Sequence, residues 1–162
     1  MTDANPAAST RNSRIIHASP EAVYRAFTDP EALAIWLAPE GMAGVVHEFD
    51  ARVGGGYAMS LYYQSSELQR GKTSEREDRF TARFLELTPG KRIVQAITFD
   101  SADPAFHGVM VMVVTFENTE SGTEVTILFE NIPSGIRPED NESGTRSSLE
   151  KLARYVEQSD KL

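Results

Sequence analysis

The chain has 162 residues, no cysteine, and 24 acidic against 16 basic side chains, giving a net charge of −8 at neutral pH. That length supports a single domain burying about two-thirds of its unfolded surface, and the lack of thiols excludes a disulfide framework, a thiolate zinc site and a cysteine nucleophile. The negative balance repels phosphate backbones and anionic lipid, so neither nucleic acid nor membrane is expected as a partner.

Residues 1–12, MTDANPAASTRN, carry no basic start followed by an apolar run, and read as a disordered tail ahead of one folded domain over 13–160. With no apolar stretch of membrane-spanning length, the expected location is cytoplasmic. Residues 14–17, Arg-Ile-Ile-His, read as a first strand. Ser19-Pro20-Glu21 then supplies an N-cap, a first-turn proline and an acid matched to the helix dipole, and Val23 and Phe27 fall one turn apart on the buried side of the helix it starts. Asp29-Pro30-Glu31 repeats the signal for a second short helix carrying Leu33, Trp36 and Leu37.

From about residue 44 the apolar period changes from helical to alternating. Breaks at Gly54-Gly55-Gly56, at 65–74, at Pro89-Gly90, at 100–104 and at 118–122 mark out six further strands near 44–52, 55–63, 76–87, 91–99, 107–117 and 122–131. Short turns between them predict an antiparallel meander. Tyr57, Met59, Leu61 and Tyr63 share one face, as do Phe80, Ala82 and Phe84, then Ile93, Gln95, Ile97 and Phe99, then Val125, Ile127 and Phe129. The opposite faces are mostly polar, so the sheet is greasy on one side and needs a cover there. The run VMVMVVTF at 109–116 is apolar on both faces; its register is ambiguous, and a central strand partly covered by the two short helices is the expected outcome.

The cover is a helix over 137–158. Pro138 with Glu139 and Asp140 opens it, and Leu149, Leu152, Tyr155 and Val156 form a stripe that can lie on the apolar face. Continued towards the start of the helix, the same stripe meets Asn141, Gly144, Thr145 and Ser148, none of which fills space. A glycine inside a helix costs about 1 kcal/mol against alanine, so its presence fits close backbone approach or space left open. These residues predict a roof over a cavity walled by Trp36, Tyr57, Met59, Phe80, Phe84, Ile97 and Phe129, with Thr145 and Ser148 as hydrogen-bonding groups that orient a guest.

Reactive chemistry finds little support. There is no Gly-x-Ser-x-Gly elbow, and His17, His47 and His107 share no metal-ligand spacing, so neither a catalytic residue nor a metal or cofactor is assigned. Arg70-Gly71-Lys72-Thr73 ends like a phosphate-binding loop, but Ser66 stands where its first glycine belongs. Gly54-Gly55-Gly56 lacks the following helix of a dinucleotide site. Arg70, Lys72, Arg76, Arg79 and Arg83 alternate with Glu75, Glu77 and Asp78, which suits a solvated strand face. Asp50, Arg52, Glu86 and Arg92 sit at strand ends and turns, where ion pairs serve structure.

Taken together, IIHASPEAVYRAFTDPEALAIWLAP, FDARVGGGY, FLELTPGKRIV and GTRSSLEKLARYVE resemble the START-like, or SRPBCC, superfamily, in its bacterial branch similar to the activator of the heat-shock-protein-90 ATPase. The resemblance spans about residues 14–158. It implies an α+β helix-grip fold: a curved antiparallel sheet of about seven strands, two short helices, and a long C-terminal helix across the concave face. Where many members of the branch carry Gly-Trp, this chain has Gly144-Thr145, which implies a larger interior beneath the helix. The superfamily includes carriers, cyclases and co-chaperone domains. The leading expectation is non-enzymatic binding, transport or sensing of a small, largely apolar molecule, by a monomer or homodimer. The alternatives are a co-chaperone-like domain with a chaperone or other protein partner, and a cyclase or hydratase using a cavity group such as Tyr57 or Glu86 as acid or base.

Overall fold

In the computed structural model, which describes residues 8–63 and 77–159, each of the first two helices starts where the sequence places a cap before a proline. Ser19 Oγ accepts the Ala22 N–H at 3.1 Å and Asp29 Oδ1 accepts the Glu31 N–H at 3.0 Å, satisfying donors that a first turn leaves open. The elements are β1 (Ala8–Ile16), α1 (Pro20–Phe27), α2 (Pro30–Trp36), β2 (Met42–Asp50), β3 (Gly56–Tyr63), β4 (Glu77–Thr88), β5 (Arg92–Phe99), a 3-10 turn (Pro104–Phe106), β6 (Met110–Thr119), β7 (Gly122–Ile132) and α3 (Pro138–Ser159). All strand neighbours are antiparallel, and the order across the sheet is β1-β7-β6-β5-β4-β3-β2. The α+β helix-grip architecture expected from the sequence is therefore the observed one. The stretch 65–74, with its Arg70–Thr73 run, and the residues Arg70, Lys72, Glu75 and Arg76 lie outside the described residues.

Register shifts between Val46 and Glu48, and between Phe84 and Glu86, are bulges of the kind that bend strands. The turn between β2 and β3 depends on Gly56, which sits at φ 155° and whose Cβ would stand 1.9 Å from the Ala82 carbonyl oxygen. Only a residue without a side chain lets β3 start so close to the β4 backbone.

On the concave face α1, α2 and the rear of α3 close one end. Phe27 lies edge-on to Trp36, ring centroids 4.6 Å apart, and to Phe116 at 5.4 Å. Leu149, Leu152, Ala153 and Val156 of α3 are all buried in the same cluster. β6 resolves its ambiguity by alternation: Met110, Met112, Val114 and Phe116 point inward and are buried, while Val111 and Val113 are half-buried on the outer face. Helix α1 covers only the Phe116 end of this strand, through Phe27 and Tyr24, so the expected cover by both short helices is not what forms.

One boundary needs correction. β1 begins at Ala8 and pairs with β7 through Thr10↔Phe129 and Asn12↔Ile127, so residues 8–12 belong to the sheet rather than to a tail; residues 1–7 lie outside the described residues. The inward positions here are Thr10 and Asn12, polar because they run beside α3 instead of entering the core. The Thr10 hydroxyl donates to Asn141 Oδ1 on that helix.

Candidate functional site

The front of α3 stands off the sheet. Its second half buries Leu149, Leu152 and Val156, whereas the first half presents Asn141, Gly144, Thr145 and Ser148, and beneath these lies a cavity of about 770 Å³ that opens to solvent on one side. Inward side chains of β3 to β7 form its floor: Tyr57, Leu61 and Tyr63, Asp78 and Phe80, Ile97 and Phe99, Met110 and Met112, Ile127 and Phe129. The α2–β2 connection, from Leu37 to Met42, makes one wall; Phe106 and the approach to α3, Gly135 to Arg137, contribute to another. Leu61, Tyr63, Phe99 and Phe129 continue the buried rows of their strands but are only half-buried, because no leucine or indole descends from α3 to cover them.

Polar bonds keep the roof in place. Ser148 Oγ–H donates to the Leu37 carbonyl at 2.7 Å, Lys151 Nζ donates to the Ala38 carbonyl at 2.7 Å, and the Glu40 N–H donates to Ser147 Oγ at 2.8 Å. These fix the middle of α3 to the α2–β2 connection. Gly144 is not a point of close approach: a Cβ there would meet Pro39 Cγ at 3.6 Å, an ordinary contact.

Of the residues expected from sequence to surround a guest, Tyr57, Phe80, Ile97, Phe129, Thr145 and Ser148 line the cavity. Trp36, Met59 and Phe84 do not reach it. Trp36 is fully buried, donating Nε1–H to the Ala26 carbonyl at 2.8 Å; Met59 packs towards Gly44 under α2; Phe84 packs on Phe49 and Tyr57 at centroid distances of 6.1 and 5.8 Å. Their strand or helix face was read correctly, but core neighbours already occupy the volume around them. Thr145 and Ser148 are present, yet both hydroxyl protons are engaged, on the Asn141 and Leu37 carbonyls.

Sequence reasoning missed Met110 and Met112, whose alternation with valine was the available signal, and it missed the pairing of Tyr63 with Asp78. The Tyr63 hydroxyl donates to Asp78 Oδ2 at 3.0 Å, a contact that depends on the β3–β4 register. Deeper in, the Tyr57 hydroxyl donates to Gln95 Oε1 at 2.9 Å, both residues buried. Burial pushes the Tyr57 phenol well above the ordinary tyrosine range, and burial together with the adjacent Asp78 charge does the same to Tyr63. Both phenols therefore keep their protons at neutral pH.

The other charged and histidine side chains singled out from the sequence lie elsewhere. Glu86 accepts from Arg92 at 3.1 Å and from Thr88 at 2.9 Å, and Asp50 pairs with Arg52 at 2.8 Å, all outside the cavity. His17 Nδ1 donates to the Ser121 carbonyl at 2.9 Å, His47 Nε2 lies 2.9 Å from Ser60 Oγ, and His107 Nε2 donates to the Ser101 carbonyl at 2.8 Å. Among the described residues no three or more acidic or histidine side chains gather in a way that could hold a metal ion. No helix among them is long and apolar enough to cross a membrane.

Residues 17–157 match the family described as "Activator of Hsp90 ATPase homolog 1-like protein". No functionally curated protein matches the chain. Among solved structures it is similar to a protein of Chromobacterium violaceum, with 41% identity, a TM-score of 0.82, and coverage of 92% of this chain and 96% of that one. An AHSA1-like protein from Aeromonas hydrophila, 21% identical, superposes with a TM-score of 0.70 over 94% of each chain. A Nitrosomonas europaea protein, 23% identical, gives 0.70 over 95% of this chain and 97% of that one; these last two likenesses concern the fold alone.

Proposed function

The chain belongs to the activator of Hsp90 ATPase homolog 1-like family, with its START-like helix-grip fold, and on that premise we propose that it binds a small, largely apolar molecule between sheet and α3 without transforming it. One observation carries this reading: a cavity of about 770 Å³ floored by aromatic, aliphatic and methionine side chains, a size and composition suited to a small-molecule site. Tyr57, Phe80, Ile97 and Phe129 supply the apolar contact, and Thr145 and Ser148 supply hydroxyl oxygens at the roof. A carrier or sensor is favoured over a cyclase or hydratase because both lining phenols already donate their protons within the protein, Tyr57 to Gln95 and Tyr63 to Asp78, while Glu86 is paired with Arg92 away from the cavity.

The test is calorimetric and direct. Apolar compounds that enter the cavity bind only the native state and raise Tm with concentration, and protein purified gently from its host releases a bound molecule detectable by mass spectrometry. A broad apolar library that moves Tm nowhere, with no released molecule, ends the reading. The competing proposal, docking on a chaperone or another protein, draws on the family description; it predicts recovery of a defined partner from lysate at physiological salt, lost on mutation of one surface.

A further inference from the structure

We propose that the cavity, if it is the binding site just argued for, takes apolar molecules ending in a hydrogen-bond donor, an amine or a hydroxyl, and turns away carboxylates. The basis is a count of donors and acceptors around its lining. Five lining residues carry hydroxyls; Ser143 is exposed at the rim, and the other four give their protons to the protein: Thr145 to the Asn141 carbonyl at 2.7 Å, Ser148 to the Leu37 carbonyl at 2.7 Å, Tyr63 to Asp78 Oδ2 at 3.0 Å, and Tyr57 to Gln95 Oε1 at 2.9 Å. Three of those acceptors, two main-chain carbonyls and a carboxylate, have no proton to return, which fixes the direction of those three bonds. The raised pKa of the two phenols keeps the same arrangement across neutral pH. Wherever one of these hydroxyls meets a guest, it presents lone pairs.

Charge points the same way. The described lining contains Glu40, Asp78 and Asp140 against the single guanidinium of Arg137, which is 72% exposed and already 4.0 Å from Glu139. The positive end of α3 is matched by its own Glu139 and Asp140. Its amide donor on Asn141 stands in the first turn, at the edge of the roof. A carboxylate head is all acceptor; past Arg137, Asn141 and Ser143 it meets hydroxyl oxygens that have already given up their protons, and it loses its water without replacement. An ammonium or hydroxyl head finds acceptors on Thr145, Ser148 and Tyr63 and on the carboxylates of the lining.

The experiment uses the full-length protein and four biphenyl probes of one shape: biphenylmethylamine, biphenylmethanol, its methyl ether and biphenylcarboxylate, titrated calorimetrically at low and at physiological salt. The expected order is amine and alcohol tightest, with ether and carboxylate weaker by about tenfold or more. The alcohol and ether are both uncharged, so attraction to the acidic surface cannot produce the gap between them. A carboxylate that binds as well as the alcohol, or an ether that equals it, overturns the inference while leaving an apolar site standing. Failure of all four to bind removes the site itself. Thr145→Trp, which fills the roof, is expected to abolish binding of every probe; retained binding in that variant places the probes elsewhere and also overturns the inference.

Discussion

The two halves of α3 meet the same sheet and do opposite things to it. The rear half lowers Leu149, Leu152, Ala153 and Val156 into a cluster closed by Phe27 and Trp36, whereas the front half brings hydroxyls, an amide and a glycine over Leu61, Phe99 and Phe129, which stay half-covered. The backbone of one helix thus holds a packed end and an open end in fixed relation. Stability is expected to reside in the rear, and the front to accept substitutions without unfolding the domain.

The sharpest way to break that division is to empty the packed end. Leu152→Ala removes a side chain with no solvent exposure and is expected to cost about 3 kcal/mol in denaturant unfolding; a loss under about 1 kcal/mol would show that the rear half is not the anchor. The converse experiment fills the open end. Thr145→Trp is expected to leave unfolding free energy unchanged or slightly higher while cancelling any rise of Tm from apolar compounds, a stabilisation of about 2.7 kcal/mol for a ligand at a hundred times its Kd. A variant that loses its fold instead would show that the volume under Thr145 is not available.

Tyr57 marks the border between the ends, lining the cavity yet only 4% exposed. Its folded-state pKa lies above the unfolded value of 10.0, so the neutral phenol contributes stability that is whole below pH 10 and drains away as pH rises further, at about 1.4 kcal/mol per pH unit. Unfolding followed from pH 9 to 11 should show that decline together with a like contribution from Tyr63, and Tyr57→Phe should remove the Tyr57 share and make the slope shallower. An unchanged slope in the variant would mean that water reaches the back of the cavity. The smallest effect has the opposite sign: Gly144→Ala adds a methyl group 3.6 Å from Pro39 and should stabilise the helix by up to about 1 kcal/mol.

How far the sequence could be read follows the same division. The inward rows of β3, β4, β5 and β7 were legible because alternation needs only the chain itself, and the roof was legible because small residues interrupt a stripe that otherwise continues as leucine and valine. Alternation states which way a side chain points, not whether another already lies above it. Trp36, Met59 and Phe84 were therefore placed around the cavity when they are in fact packed inside the core, Phe84 against Phe49 and Tyr57. The residues 8–12 of β1 escaped notice because their inward positions are threonine and asparagine, suited to the flank of α3. Tyr63 with Asp78, and Tyr57 with Gln95, join different strands, and such pairs appear only once register is known.

The order of the sheet has a consequence for synthesis. Its neighbours from β2 to β7 follow one another along the chain, so each can attach as it leaves the ribosome, but Ile16 of β1 pairs with Thr123 of β7. Strand β1 thus has no hydrogen-bonding partner until β7 has been made, and its docking across so long a loop belongs among the late steps of this domain's folding.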